Sequence, residues 1–179
     1  MSIPQRPKLA KLIVGVFVKE REIITRVADN LSACFGQPDA ISPWLSFHHT
    51  DYYSKEMGAP LARRLFAFGA LIEQDRLPDI KLLTNSIEKD FMVAGKRRVN
   101  IDPGYLLAER FVLATGKNYA HRIYLRDGIY ADLTLTYHDG KFCPLQWTYP
   151  DYTEEGILIL LKSAREKYLW QIKQRNNKE

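Results

Sequence analysis

The sequence predicts an α+β fold: a ferredoxin-like β-α-β-β core, extended by an antiparallel β-meander and closed by a C-terminal helix. Three observations carry that prediction. Residues 11–19 (KLIVGVFVK) are a short β-branched apolar run followed at once by a helical pattern; residues 122–147 alternate around two Asp-Gly turns; residues 153–173 repeat apolar positions at the helical period. At 179 residues, 46% of them apolar and 12% aromatic, the chain suits one globular domain with its own core and is too apolar for a disordered segment. Within that single 1–179 domain, residues 1–8 and 174–179 read as flexible ends.

The run 11–19 has the length and branching of a central strand. Residues 22–35 place Ile23, Ile24, Val27, Ala28, Leu31, Cys34 and Phe35 on one helical face, and Gly36 stops the helix. Residues 41–47 (ISPWLSF) and 65–72 (LFAFGALI) read as two further strands, the first an edge strand or one with an irregular start because of Pro43. Residues 80–93 fit a short strand into Leu83 and then a helix capped by Asn85 or Ser86 and ended by Gly95. Residues 110–115 (RFVLAT) form another strand.

The meander permits a sharper deduction. A three-residue loop Arg126-Asp127-Gly128, with Gly128 left-handed, pairs Leu125 with Ile129 and Ile123 with Ala131, which keeps apolar residues on one face. It also sets Arg122 opposite Asp132 and Tyr124 opposite Tyr130. A two-residue Asp127-Gly128 loop would mix the faces. A second loop, His138-Asp139-Gly140, turns the chain into a strand over 141–147. The last helix, 153–173, takes Thr153 as its cap, Glu154 and Glu155 at the positive end of its dipole, and Ile157, Leu160, Leu161, Ala164, Tyr168 and Ile172 as its inner face.

Lys and Arg total 26 against 21 Asp and Glu, a net charge of +5, so an anionic partner is worth seeking although the cations form no continuous stripe. Cys34 and Cys143 lack C-x-x-C spacing, the usage of a reduced compartment, and the expected location is the cytoplasm. No segment approaches the roughly 20 apolar residues of a membrane span, and the basic start precedes an apolar run of only 12–18 with no small-residue cleavage site.

Candidate chemistry concentrates between residues 97 and 152. Asn100-Ile101-Asp102-Pro103-Gly104-Tyr105 reads as a strand end with a Pro-Gly turn that fixes the Asp102 carboxylate and the Tyr105 hydroxyl beside Arg97, Arg98 and Asn100. A carboxylate held in that way can accept a proton, hold a sugar hydroxyl or hold Mg²⁺; it can also simply tie the turn. Lys117 and Arg122 offer an ammonium and a guanidinium fork to phosphate, and His121 offers an acid or base. The competing reading pairs Arg122 with Asp132 across the strands and puts His121 on the apolar face.

Asn85, with Thr84 and Glu88, sits at an expected helix start where N–H groups bind anions, or serves only as a cap. Asp151 is either a first-turn helix residue or a second site carboxylate, and Trp147 and Tyr149 either pack or stack on a base. In His48-His49-Thr50-Asp51, adjacent histidines on an extended chain point apart and no H-x-x-x-H spacing exists, which disfavours zinc; Asp51 remains an oxygen ligand for Mg²⁺. Neither cysteine has an activating partner.

TDYYSKEMG, LLTNSIE, RRVNIDPGY, LATGKNYAHRIYL, GIYADLTL and WTYPDY, six strings in order over essentially the whole chain, resemble the bacterial domain of unknown function 4416 family. The resemblance implies a small, single-domain, cytoplasmic bacterial protein with no established activity; members of that family are sometimes labelled GTP-binding proteins. A P-loop would need G-x-x-x-x-G-K-[ST], yet Gly95-Lys96 and Gly116-Lys117 are followed by Arg97 and Asn118, and the N-K-x-D signature for guanine is absent. GTP binding would therefore use an unrelated scaffold.

Together these residues lead us to expect a polar pocket for a phosphorylated small molecule or nucleotide, walled by NIDPGY and GKNYAHR. Phosphate-ester or nucleotidyl chemistry would use Lys117 and Arg122 to stabilise charge, Asp102 and Asp51 to hold Mg²⁺, and His121 or Asp102 to move a proton. The alternative is a noncatalytic RNA-binding module: a pocket gathers the polar groups in a cleft, whereas an RNA binder spreads aromatics over an open sheet.

Overall fold

The computed structural model describes residues 1–47, 57 and 60–177. Its strands are β1 (Ala10–Val18), β2 (Pro38–Ile41), β3 (Leu45–Phe47), β4 (Leu61–Ile72), β5 (Val99–Leu106), β6 (Arg110–Thr115), β7 (Arg122–Arg126), β8 (Ile129–His138) and β9 (Lys141–Pro144). They form one sheet in the order β2-β4-β1-β5-β6-β8-β7, with β3 also on β4 and β9 also on β8. Every strand pairing among the described residues is antiparallel. Among those residues the α-helices are α1 (Ile24–Phe35), α2 (Leu77–Asp90) and α3 (Glu155–Asn176). None is long and apolar enough to cross a membrane.

The β1 run is apolar on both faces because both faces are covered. Leu12, Val14, Val16 and Val18 join Val27 and Leu31 of α1 and Ile80 and Ile87 of α2 in one core. On the other face Ile13 joins Leu160, Leu161 and Ala164 of α3. The result is three layers, with α1 and α2 on one side of the sheet and α3 on the other. Each fully buried aliphatic side chain contributes about 2 kcal/mol, so this central strand anchors both cores. Lys11, at 0% exposure, ties the layers by donating to Asp39, the Phe68 carbonyl and Gln171. Burial lowers its pKa, and the Asp39 carboxylate opposes that shift.

Several expectations hold: β1, the α1 stripe apart from Cys34, which is exposed, β6, and Ile157, Leu160, Leu161, Ala164 and Tyr168 as the inner face of the last helix. Others need correction. Residues 80–83 are not a strand, because Leu77, Ile80, Thr84 and Ile87 continue one buried helical face from the α2 start, where Pro78 occupies the first turn. Asn85 consequently lies in mid-helix and caps nothing. Residues 41–47 divide into β2 and β3 at Ser42-Pro43-Trp44, both pairing β4, and β4 begins at Leu61 rather than Leu65. Thr153 does not cap α3; its hydroxyl donates to the Pro150 carbonyl within a 3-10 turn, Pro150–Thr153, and Glu154 is the capping residue.

Both hairpins use two-residue turns instead of three. Asp127 and Gly128 have φ of 53° and 75°, and Asp139 and Gly140 have 52° and 78°, the left-handed pair that a type I′ turn needs. Arg126 therefore opposes Ile129 and His138 opposes Lys141. A bulge at Leu125 then restores the expected pairs Tyr124 with Tyr130, Ile123 with Ala131 and Arg122 with Asp132. The face assignment is reversed: Ile123 is 68% exposed and Arg122 only 8%, because β7 is an edge strand whose Arg122 side meets neighbouring structure. Strand β9 ends at Pro144, short of Trp147.

The largest correction concerns NIDPGY, which is interior strand β5 and not a turn. Gly104 does not have positive φ; it is there because β6 comes close, and a Cβ would meet the Val112 carbonyl oxygen at 2.5 Å. Gly104→Ala should cost about 2 kcal/mol or more in urea denaturation, as overpacking against backbone does. Gly116→Ala, with nothing within 4 Å of its Cβ, should stay close to wild type. Equal stabilities for the two variants would contradict the close approach.

Candidate functional site

Strand β1 pairs β5 along its whole length, but β6 pairs it only over Gly104, Tyr105 and Leu106. Alternate residues of an antiparallel strand direct their N–H and C=O groups to the same neighbour, so Ile101 and Pro103 face the β6 side. Pro103 has no N–H to donate, and the ladder to β6 ends there. Ile101 would be left unpaired, and α2 supplies its partners. Glu88 Oε1 accepts from the Ile101 N–H at 2.7 Å, and Lys81 Nζ donates to the Ile101 carbonyl at 2.8 Å.

A polar network grows from these two contacts. Lys81 also donates to Asp102 Oδ1 at 3.3 Å, and Asn100 Nδ2 donates to Asp102 Oδ2 at 2.8 Å. Arg97 Nη1 reaches Glu88 Oε2 at 3.0 Å and Asn100 Oδ1 at 3.1 Å. Burial pushes the Glu88 carboxyl above its usual range, while the Lys81 ammonium pulls it back. Asp102 keeps 25% of its side chain exposed, against 10% for Lys81 and 7% for Glu88, and is the carboxylate a ligand can reach.

Asp102 opposes Gly15 and Asn100 opposes Phe17, which itself opposes Arg63 of β4. These residues share the α3 side of the sheet with Ile13 and Leu65. Arg63 Nη1 donates to Asp151 Oδ2 at 2.5 Å, both side chains being buried. The guanidinium carbon lies 4.7 Å from the Phe17 ring centre and 4.3 Å from that of Tyr152. Its Nε and Nη2 have no hydrogen-bond partner among the described residues. Burial first, and then the nearby Asp102 and Asp151 charges, raise the Tyr152 hydroxyl so far that it stays protonated, although Arg63 opposes the shift.

A second cluster sits further along the same face, since Gly104, Leu113, Asp132 and Arg122 form one row across β5, β6, β8 and β7. Arg122 Nε donates to Asp132 Oδ2 at 2.8 Å and Nη1 to the Lys117 carbonyl at 3.0 Å. The guanidinium also covers the Tyr119 ring at 4.6 Å. His121 stacks between Tyr119 and Trp147, with its Nε2 3.4 Å from Asp132 Oδ2 but not aligned for a hydrogen bond. Trp147 Nε1 donates to the Leu133 carbonyl. Because Trp147 is fixed on β8 and Asp151 on β4, the segment between β9 and α3 crosses the sheet and joins the two clusters.

The structure thus brings Asn100, Asp102 and Asp151 into one region, and His121, Arg122, Asp132 and the backbone of Lys117 into another on the same face. Arg98 is elsewhere, paired with Glu20. Tyr105 packs against the cluster of Leu77, Val112, Ala114 and Ile129 and that of Ala10, Leu107 and Tyr168, on the opposite face of β5 from Asp102. Asn85 has lost the helix-start position that recommended it, and Asp51 lies outside the described residues. Sequence reasoning passed over Lys81, Arg63 and Tyr152. Arg63 and Arg64 carried a signal, two charges inside the apolar pattern LARRLFAF, one on each face of a strand.

Among the described residues no three His, Cys, Asp or Glu side chains are grouped to hold a metal ion. Two open concavities, about 400 and 320 Å³, lie elsewhere: one between Cys34, Ile72 and Leu83, the other between Lys8, Leu107 and Ile172. Neither is lined by the two polar clusters; Glu73, Arg76 and Asp79 border the first and Lys8, Glu109 and Arg110 the second, and we place the chemistry with the polar clusters because their charged groups are buried and converge from several strands. The model of a family described as domain of unknown function (DUF4416) matches residues 8–168. No curated protein and no solved structure gives a significant match.

Two measurements check the electrostatics. A carboxyl raised above its ordinary 4.5 holds its proton longer in the folded chain, so Glu88 contributes stability at low pH that is lost as pH rises through the raised value. Glu88→Gln cannot ionise, and the stability of wild type relative to this variant should fall as pH increases from 4.5 upward; a pH-independent difference would contradict the shift. Arg122→Met strands a buried Asp132 and should cost about 3 kcal/mol, with part regained on adding Asp132→Asn. A loss of under about 1 kcal/mol would match an exposed pair instead.

Proposed function

The chain belongs to the DUF4416 family, and we propose that it binds a phosphorylated small molecule, a nucleotide being the fitting class, on the α3 side of the sheet between Asp102 and the Arg122–Asp132 pair. One observation carries this reading. Polar groups from β5, β7, β8 and the crossing segment, distant in sequence, emerge on one sheet face and are joined by that segment. An ordinary sheet face under a helix is apolar.

Each component has a matching ligand group. The partly exposed Asp102 can hold a ribose hydroxyl or share Mg²⁺ with phosphate oxygens, since Mg²⁺ needs only one or two protein carboxylates; Asp51 is the second candidate. Trp147, 38% exposed and stacked on His121, presents a flat surface to a base. If chemistry follows binding, it is phosphate-ester or nucleotidyl transfer, with His121 moving a proton. Arg122 neutralises Asp132 first and any ligand only secondarily. The GTP label has no guanine-reading motif behind it, so base preference is left to measurement. The β2-β4-β1-β5 quartet, with α1 after β1 and α2 before β5 packed on one face, fits a ferredoxin-like core with β6–β9 as its extension. The unbridged cysteines suit a cytoplasmic setting.

A noncatalytic RNA surface is the second reading, favoured by the exposure of Tyr119, Tyr124, Trp147 and Tyr149. A thermal-shift panel of GTP, ATP, other phosphorylated metabolites and single-stranded RNA, with and without Mg²⁺, separates the two. A ligand at 100 times its dissociation constant adds about 2.7 kcal/mol of stability. Asp102→Asn, which should remain folded, is expected to weaken nucleotide binding in Mg²⁺ by about tenfold or more, a change of about 1.4 kcal/mol. Stabilisation by RNA alone, unaltered in Asp102→Asn, would reject the small-molecule reading.

A further inference from the structure

We infer that the Arg63 guanidinium is the receptor for an oxyanion, a phosphate or carboxylate group carried by a ligand on the α3 side of the sheet. The inference rests on the ligand reading above and names the group that holds the ligand's anionic end. Arg63 is 1% exposed, on an interior stretch of β4 between β1 and β3. Its surroundings fix it in place. Phe17 and Tyr152 cover it with their rings, and Nη1 is taken by Asp151. The guanidinium also rests against Gly15, where a Cβ would stand 3.4 Å from Nη2 and 3.6 Å from Nε.

What remains is the edge formed by Nε and Nη2, two parallel donors with no hydrogen-bond partner among the described residues. Leaving a buried donor unsatisfied costs about 1–3 kcal/mol, more on a charged group. Asp39 Oδ1, Arg64 Nε and His121 Nε2 are also buried without a partner, but among the described residues Arg63 alone has two such atoms side by side, whereas Lys11, equally buried, has three acceptors. Nor does the carboxylate on β5, one strand beyond β1, fill the edge, because Asp102 is held by Lys81 and Asn100. The unpaired edge of a guanidinium matches two oxygens of a phosphate or carboxylate in bidentate fashion. Asp151 already balances the Arg63 charge, so the fork offers directed donors more than net attraction.

The test titrates orthophosphate and, in a separate arm, acetate into wild type and Arg63→Lys by calorimetry, with the Arg63 Nε–Hε resonance followed by NMR. Lysine keeps a charge for Asp151 but has no fork. Wild type should bind at least one anion saturably, its Arg63 resonance should move with occupancy, and Arg63→Lys should bind about tenfold or more weakly, as loss of bidentate geometry predicts. The arm with the lower dissociation constant identifies the anion as phosphate or carboxylate. If Arg63→Lys does not fold, the paired variant Arg63→Met with Asp151→Asn leaves no stranded charge and should bind neither anion. Equal anion affinity in wild type and variant, or an Arg63 resonance unmoved at saturation, overturns the inference while nucleotide binding stands. Failure of wild type to bind any of these anions or nucleotides overturns both readings.

Discussion

The polar architecture depends on an incomplete ladder: β5 has a strand partner on one side throughout and on the other for only three residues. A buried peptide group must be paired, and the unpaired stretch at Ile101 is paired by side chains. Lys81 and Glu88, seven positions apart on one face of α2, act as a substitute strand for a single residue. The cost is two buried charges, and they are neutralised by recruiting Asp102 and Arg97. That recruitment places a partly exposed carboxylate in the floor of the sheet.

The α3 side shows the same logic at larger scale. An all-apolar contact between α3 and the sheet would be simpler, and Ile13, Leu65, Ala67, Leu106, Phe111, Leu135 and Phe142 with their helix partners make one over part of the face. Beyond them the layer contains Arg63, Asp151, Asp132 and Arg122, each largely buried. Buried ion pairs are weak stabilisers compared with well-packed apolar residues, so support for the fold does not by itself account for them, and the proposed ligand site would. The crossing segment between β9 and α3 links the clusters through Trp147 and Asp151 and sets the spacing between them.

Much of the fold was legible because the relevant signals are local. The two-sided apolar run of β1, the stripe of α1, the inner face of α3 and most of the β7–β8 register follow from periodicity and turn chemistry. Where reasoning failed, a nonlocal effect overrode a local preference. Pro103-Gly104 has turn composition, but here proline ends one ladder and glycine admits a neighbouring backbone. The string IKLL is neutral between strand and helix until Leu77 and Ile87 extend its pattern. Asp102, Asn100 and Asp151 stand out in the sequence because the run from 97 to 152 is dense in polar residues beside glycines and prolines. Arg63 and Lys81 were missed because their partners lie across the sheet, far away in sequence.

The central claim is that a ligand occupies the α3 side of the sheet. Backbone amide shifts recorded by NMR during nucleotide titration test it most directly. The account predicts that the saturating changes gather at Gly15, Asn100, Ile101, Asp102, Asp151 and Tyr152, with smaller ones reaching His121 and Trp147. Changes confined to Cys34, Phe35, Ile72 and Leu83, at the concavity beside α1 and α2, would contradict it.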